Sequence, residues 1–228
     1  MAFLLRNVVI ALLLRCPSAF LTQPPKIVRT PITLRRRHVA VKAGPEVLGD
    51  AWQSYLGALE AYPLVTKMAT ATVIIGAGDA AAQAIEAQKG EGGVSAARVA
   101  RWAFFGFILQ APWNHYYQNA LEWAIPSTPS PWTLTTAGKV AVDQFVQAPI
   151  FTALIFLFFA LLEGRGAGAG VDQIRRELPA TLAKNWLIFI PATFVNLGLV
   201  PLQFRVLFIN VVFFFWVIVL SLLINETA

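Results

Sequence analysis

The residues of this chain that could do chemistry are polar groups set into apolar runs. Ile75-Gly76-Ala77-Gly78-Asp79 lies inside VIIGAGDAAA. As strand, glycine loop and helix, G-x-G-x-x-A would hold a dinucleotide pyrophosphate on backbone N–H groups at a helix N-terminus. That reading needs a soluble βαβ unit and a ribose-binding acid about twenty residues on. A basic loop and another hydrophobic span follow instead.

Gly-x-Gly-Asp also occurs where two intramembrane aspartates share a proton, as in intramembrane aspartyl proteases. Asp143 would be the partner. In those enzymes a Tyr-Asp helix precedes the Gly-x-Gly-Asp helix, and a Pro-Ala-Leu motif follows. Here Asp79 comes first, Val142 precedes Asp143, and Pro-Ala-Leu is absent. The favoured reading is a buried Asp79 bonded to a neighbouring helix. Two further polar clusters are Asp143-Gln144 and Pro112-Trp-Asn-His115-Tyr-Tyr117. His115 reads as a structural donor rather than a proton relay. Trp186, Trp216, Tyr116 and Tyr117 read as packing or interface anchors. No nucleophile–base pair is recognisable, so no enzyme and no cofactor are expected.

These groups need elements to hold them. The stretch from Lys184 to Ser221 is almost wholly apolar, yet contains Pro191, Asn196, Pro201, Arg205 and Asn210. Asn and Arg in a membrane helix normally face protein or a watery cavity. Composition agrees: 57% apolar, 13% charged, mean hydropathy +0.62. The expected fold is an all-α integral membrane bundle of about four to five proline-kinked spans. A short amphipathic helix precedes it, Trp52 to Glu60, with Trp52, Tyr55, Leu56 and Leu59 on one face.

The first span, about Leu64 to Ala84, is rich in Ala, Gly and Thr and reads as an interior helix. The second starts near Arg98 and Arg101 and is kinked or broken at Pro112. The third, about Val140 to Leu162, carries Pro149. Gly164 to Gly170 reads as a flexible connector. The fourth, about Leu182 to Leu199, carries Pro191 and ends at Pro201. The fifth runs from about Val206 to Ile224. With five spans, the positive-inside rule puts the face holding Arg98, Arg101, Arg165, Arg175, Arg176 and Lys184 toward stroma or matrix.

Charge is unevenly placed. Of 18 cations, eight precede Glu46, the first acid; ten then face twelve acids. The net +6 and the pI near 9.8 therefore belong to a leader, and nucleic-acid binding is not indicated. Residues 1–43 are Arg-rich and acid-free, as in a cleaved organelle presequence without regular structure. Val8 to Leu14 suits a short signal-type apolar run, and Ser18-Ala19-Phe20 resembles the junction of a bipartite plastid presequence. A plain mitochondrial presequence is the alternative. Residues 44–228 form the membrane domain. Cys16 and His38 leave with the leader, so thiol chemistry and Cys/His zinc are not expected in the mature chain.

The ordered set Tyr55-x3-Leu59-x3-Pro63, Gly78-Asp79-x3-Gln83, Arg98-x2-Arg101 and Pro112-x2-His-Tyr-Tyr117 continues with Lys139-x3-Asp143-Gln144-x4-Pro149. Asn185-Trp186, Pro191, Asn196, Pro201, Arg205, Trp216 and Leu220-Ser221 complete it. In order and spacing this resembles the Mpv-seventeen/peroxisomal membrane protein family, from about Trp52 to Ser221. Where the family usually has Trp before the span-four Pro and Gln two residues after it, Ile190 and Thr193 stand here. Asn196-Leu197 replaces an Asn-Phe pair. The resemblance implies an organelle membrane, in mitochondrion, peroxisome or plastid, and a channel-like role in solute balance, with no catalytic residues.

The function expected is a weakly selective channel for small solutes, with a non-conducting scaffold for membrane partners as the alternative. Lipid, small solutes and a homo-oligomer or membrane protein partner are the expected associations. The candidate pore-lining or intrabundle residues are Asp79, Gln83, Arg98, Arg101, His115, Asp143, Gln144, Asn196, Arg205 and Asn210. The helix-kink candidates are Pro112, Pro149, Pro191 and Pro201. Charges at matching depth should pair, because an unpaired charge in hydrocarbon costs about 2.5–3.5 kcal/mol on insertion scales. Asp79 should meet Arg98 or Arg101. Asp143 should meet Arg205 or Lys139, with His115 nearby.

Overall fold

A computed structural model describes residues 45–88 and 93–225, with side chains described from 49 to 218. The expected presequence and the tip of the Lys89–Gly93 loop lie outside the described residues. The chain divides into two units, Met1–Ala51 and Trp52–Ala228. Of the first, only the start of helix α1 (Pro45–Ala61) is described.

In the second unit, α2 (Pro63–Gln88) is followed by α3 (Ala96–Phe105), a π segment (Gly106–Gln110) and α4 (Ala111–Ala124). Next come α5 (Leu134–Val142), a second π segment (Asp143–Gln147) and α6 (Ala148–Leu162). Helix α7 (Gly166–Leu199), a 3₁₀ turn (Leu202–Phe204) and α8 (Arg205–Asn225) complete it. No strand occurs among the described residues. Gly76 and Gly78 therefore sit mid-helix, and the dinucleotide reading is overturned.

Three helices are long and apolar enough to cross a membrane among the described residues: Pro63–Gln88, the run Leu134–Leu162, and Gly166–Leu199. Large apolar side chains face outward from them, including Val73, Phe145 and Leu187. In a bilayer such surface meets lipid. The bundle thus hides polar groups and exposes apolar ones.

Helix α2 packs most extensively on α8, and also on α3, the first π segment and α4, as an interior helix must. Its small residues allow this. A Cβ on Gly76 would come within 3.2 Å of the Ala103 Cβ, and one on Gly78 within 3.2 Å of Phe214. Gly106 reciprocates, since a Cβ there would lie 2.8 Å from the Ala71 carbonyl oxygen. The apolar core gathers Ile75, Phe105, Phe151, Phe213 and Trp216. On α1, Tyr55, Leu56 and Leu59 form the more buried face, and Trp52 stacks on Tyr55 and Phe204.

The prolines inside the spans do not interrupt their helices. Pro112 does not break its helix, which runs from Ala96 to Ala124 through the π segment. A proline has no N–H for the ladder and clashes with the carbonyl four residues back. A π segment widens the turn before the ring, with Ala111 N–H donating to Gly106 C=O. Pro149 is treated alike, with Ala148 N–H donating to Asp143 C=O. Helix α7 continues through Pro179 and Pro191. Pro201 ends a helix rather than kinking one, since Val200 before it is extended.

The expected glycine connector is also corrected. Gly164 (φ +72°) and Gly166 (φ +82°) make a tight turn that L side chains would strain, and the other glycines join α7. Gly170 lets α7 close on Leu157 and Ala160 of α6. The 34 residues of α7 reach about 50 Å at 1.5 Å per residue, more than the ~30 Å of hydrocarbon. Its charged first half can therefore stand clear of the lipid.

Candidate functional site

Four polar assemblies lie among these helices. On α2, Asp79, Gln83 and Glu86 share one face at i, i+4 and i+7 and are all buried. Arg98, in the first turn of α3, reaches them. Its Nε lies 2.8 Å from Asp79 Oδ1, and its Nη1 and Nη2 donate to the two Glu86 oxygens at 2.7 and 3.1 Å. Gln83 donates to Asp79 Oδ2 at 2.7 Å and accepts from the Ser95 backbone N–H. The depth expectation for Asp79 is met by Arg98. Arg101 makes no hydrogen bond or ion pair among the described residues.

At the other end of the spans the expected pairing is wrong. Lys139 and Arg205 both meet Glu122, in the last turn of α4. Lys139 Nζ lies 2.7 Å and Arg205 Nη1 2.6 Å from the same carboxylate oxygen. Ser127 donates its hydroxyl to Glu122 and accepts from both cations. Asp143 is thus left without either cation, although Lys139 lies one turn before it. Both cations of that end are taken by Glu122, and the Asp143 carboxylate is met instead by Gln144 and Thr193. The His115 Nδ1 faces Lys67 Nζ at 3.2 Å.

The two aspartates therefore share no proton. Asp79 holds Arg98, while Asp143 Oδ2 accepts from Gln144 Nε2 at 2.7 Å and from the Thr193 hydroxyl at 3.3 Å. The protease reading is overturned on this geometry.

The fourth assembly surrounds Asp143 and is the candidate site. A cavity of about 100 Å³ lies between the two π segments, α7 and α8. Gln110, Asn114 and Gln118, spaced four apart, form a carboxamide stripe along one wall. Asp143, Gln144 and Gln147 form a second, and Thr193 with Asn185 a third. The side-chain oxygens of Gln110, Gln118 and Gln144 are buried without a hydrogen-bond partner among the described residues. Buried polar groups are usually bonded, so such a concentration marks a functional place.

One sequence device builds two of these walls. Gln110-Ala111-Pro112 and Gln147-Ala148-Pro149 each close a π segment, and both glutamines line the cavity. Their repetition was visible in the sequence and is the signal that could have found Gln110 and Gln147. Asn114 and Gln118 could have been found from their four-residue spacing. Trp186 supplies a partner that packing roles alone miss. Pro149 has no N–H to give the Gln144 carbonyl in the register that Ala148 keeps with Asp143. Trp186 Nε1 donates there instead, at 3.0 Å.

Of the other expected residues, Asn196 and Asn210 are fully buried, with both amide atoms unpartnered among the described residues. Neither lines the cavity. Asp143 and Gln144 line it, whereas Asp79, Gln83, Arg98, Arg101, His115 and Arg205 do not.

Residues 160–221 match the Mpv17 / PMP22 family. Peroxisomal membrane protein 2 of Bos taurus is 34% identical over 73% of this chain and 85% of that protein. The chain belongs to this family. Protein sym-1 of Neurospora crassa is 30% identical over 71% of this chain and 92% of its own length. Mitochondrial inner membrane protein Mpv17 of Caenorhabditis briggsae is 29% identical over 68% and 82%. No solved structure matches.

Proposed function

We propose that this protein is a weakly selective channel for small solutes in an organelle membrane. The observation that carries the reading is the carboxamide-lined cavity enclosed by apolar helices. Polar side chains in a membrane bundle are costly and normally face a cavity or a partner. Its wall has no nucleophile–base geometry, so the reading is non-enzymatic. Purified protein in planar bilayers should conduct. Electrically silent bilayers together with solute-tight liposomes would overturn the proposal.

A second reading, a closed scaffold for membrane partners, is favoured by the Asp79–Arg98–Glu86 and Glu122–Lys139–Arg205 assemblies, in which every charge meets an opposite one inside the bundle. Co-purification of stable membrane partners with silent bilayers would select it.

The relatives' names point to peroxisomal and mitochondrial inner membranes. The leader composition supports plastid import for this chain, with the mitochondrion as alternative. Residues 1–45 fused to a fluorescent protein should enter plastids, and mitochondrial import would refute the plastid reading.

A further inference from the structure

We propose that the cavity between the two π segments is a binding site for a small uncharged polyol, of about three carbons. This rests on the channel reading above and names the class of solute that the pathway holds.

The wall chemistry selects the class. Gln110, Gln118 and Gln144, at most 3% exposed, each carry a side-chain oxygen without a partner among the described residues. Such a carboxamide is stabilised when it turns to a ligand that brings hydrogen-bond donors. Hydroxyl groups both donate and accept, as carboxamides and threonine hydroxyls do.

Charge excludes the anions. No Lys or Arg lines the cavity among the described residues. Lys139 and Arg205 are held by Glu122. A phosphate or carboxylate solute would therefore sit beside Asp143 without a counter-charge, which is strongly unfavourable in a buried place.

Shape disfavours a bare metal cation. Hard cations take oxygen ligands on all sides. Here Phe151, Phe189, Phe213 and Trp216 line the cavity among the polar groups. A polyol has C–H groups for these rings and hydroxyls for the amides.

The test uses the full chain in detergent micelles with glycerol as the probe, read by saturation-transfer NMR. Glycerol should give a saturable signal with a midpoint on the order of millimolar, reasonable for a ligand of about six heavy atoms. Gln110→Leu and Thr193→Val should each raise that midpoint by about tenfold or more. Glycerol 3-phosphate should not compete.

A signal that never saturates, or a midpoint unchanged in a folded Gln110→Leu protein, overturns the proposal. Displacement by potassium or methylammonium chloride overturns it in favour of a cation site. If Gln110→Leu does not fold, Thr193→Val gives the same reading. Conductance measured in parallel separates the two claims. Silent bilayers with saturable glycerol binding overturn the channel and keep the site. Conducting bilayers without saturable binding overturn the site alone.

Discussion

Lys139 and Asp143 stand one turn apart on the same helical run, yet belong to opposite kinds of environment. Lys139 is fully buried and pairs with Glu122, which also holds Arg205. Asp143 is 7% exposed and is satisfied only by neutral donors. One region spends its polarity on closure, joining α4, α5 and α8 through a single carboxylate. The other keeps its polar atoms around open space. The difference teaches that polar content alone does not mark a pathway in this bundle. Paired charges hold helices together, and amides with one carboxylate that meets no cation line the cavity.

The strongest way to break this contrast is Glu122→Leu. It leaves two buried cations without a counter-charge and should destabilise the protein by about 3–5 kcal/mol. Unfolding in detergent measures it, and an unchanged midpoint would remove Glu122 from its holding role. Next, Arg98→Leu should cost about 2 kcal/mol. The effect is smaller because a third of the Arg98 side chain remains exposed. Arg101→Leu, three residues on, should stay within about 0.5 kcal/mol. Equal effects at the two arginines would refute the pairing.

Trp186→Phe should cost about 1 kcal/mol by freeing the Gln144 carbonyl. Faster amide hydrogen exchange confined to residues 143–149 would locate the loss there. The smallest stability change is expected for Asp143→Asn, within about 1 kcal/mol, because no cation is orphaned. Solute flux in liposomes should nevertheless change. A protein that unfolds on this substitution would place Asp143 with the structural charges.

Much of the fold was legible. Apolar length marked the spans, small residues marked α2 as interior, and the spacing of Tyr55, Leu56 and Leu59 marked the packed face of α1. Depth along each span correctly joined Asp79 to Arg98. Depth failed for Asp143 because another carboxylate at that end, Glu122, takes both cations. Glu122 was missed although it shares the depth of Lys139 and Arg205, because a carboxylate at a span end reads as solvent-facing. The cavity was legible only in part. Asp143 and Gln144 were recognised as polar within a span. Gln110, Asn114 and Gln118 became meaningful only when their helix stood beside the second π segment.

The Glu122–Arg205 contact joins positions 83 residues apart in the sequence. It sets an order of assembly. Until α8 docks, α4 and α5 can match Glu122 with Lys139 alone, and Arg205 has no anion. Among the described helices, the latest in the chain is thus the one that seals the bundle. A chain truncated before Arg205 should persist as a loosely associated, protease-sensitive intermediate, whose earlier helices are inserted but not latched.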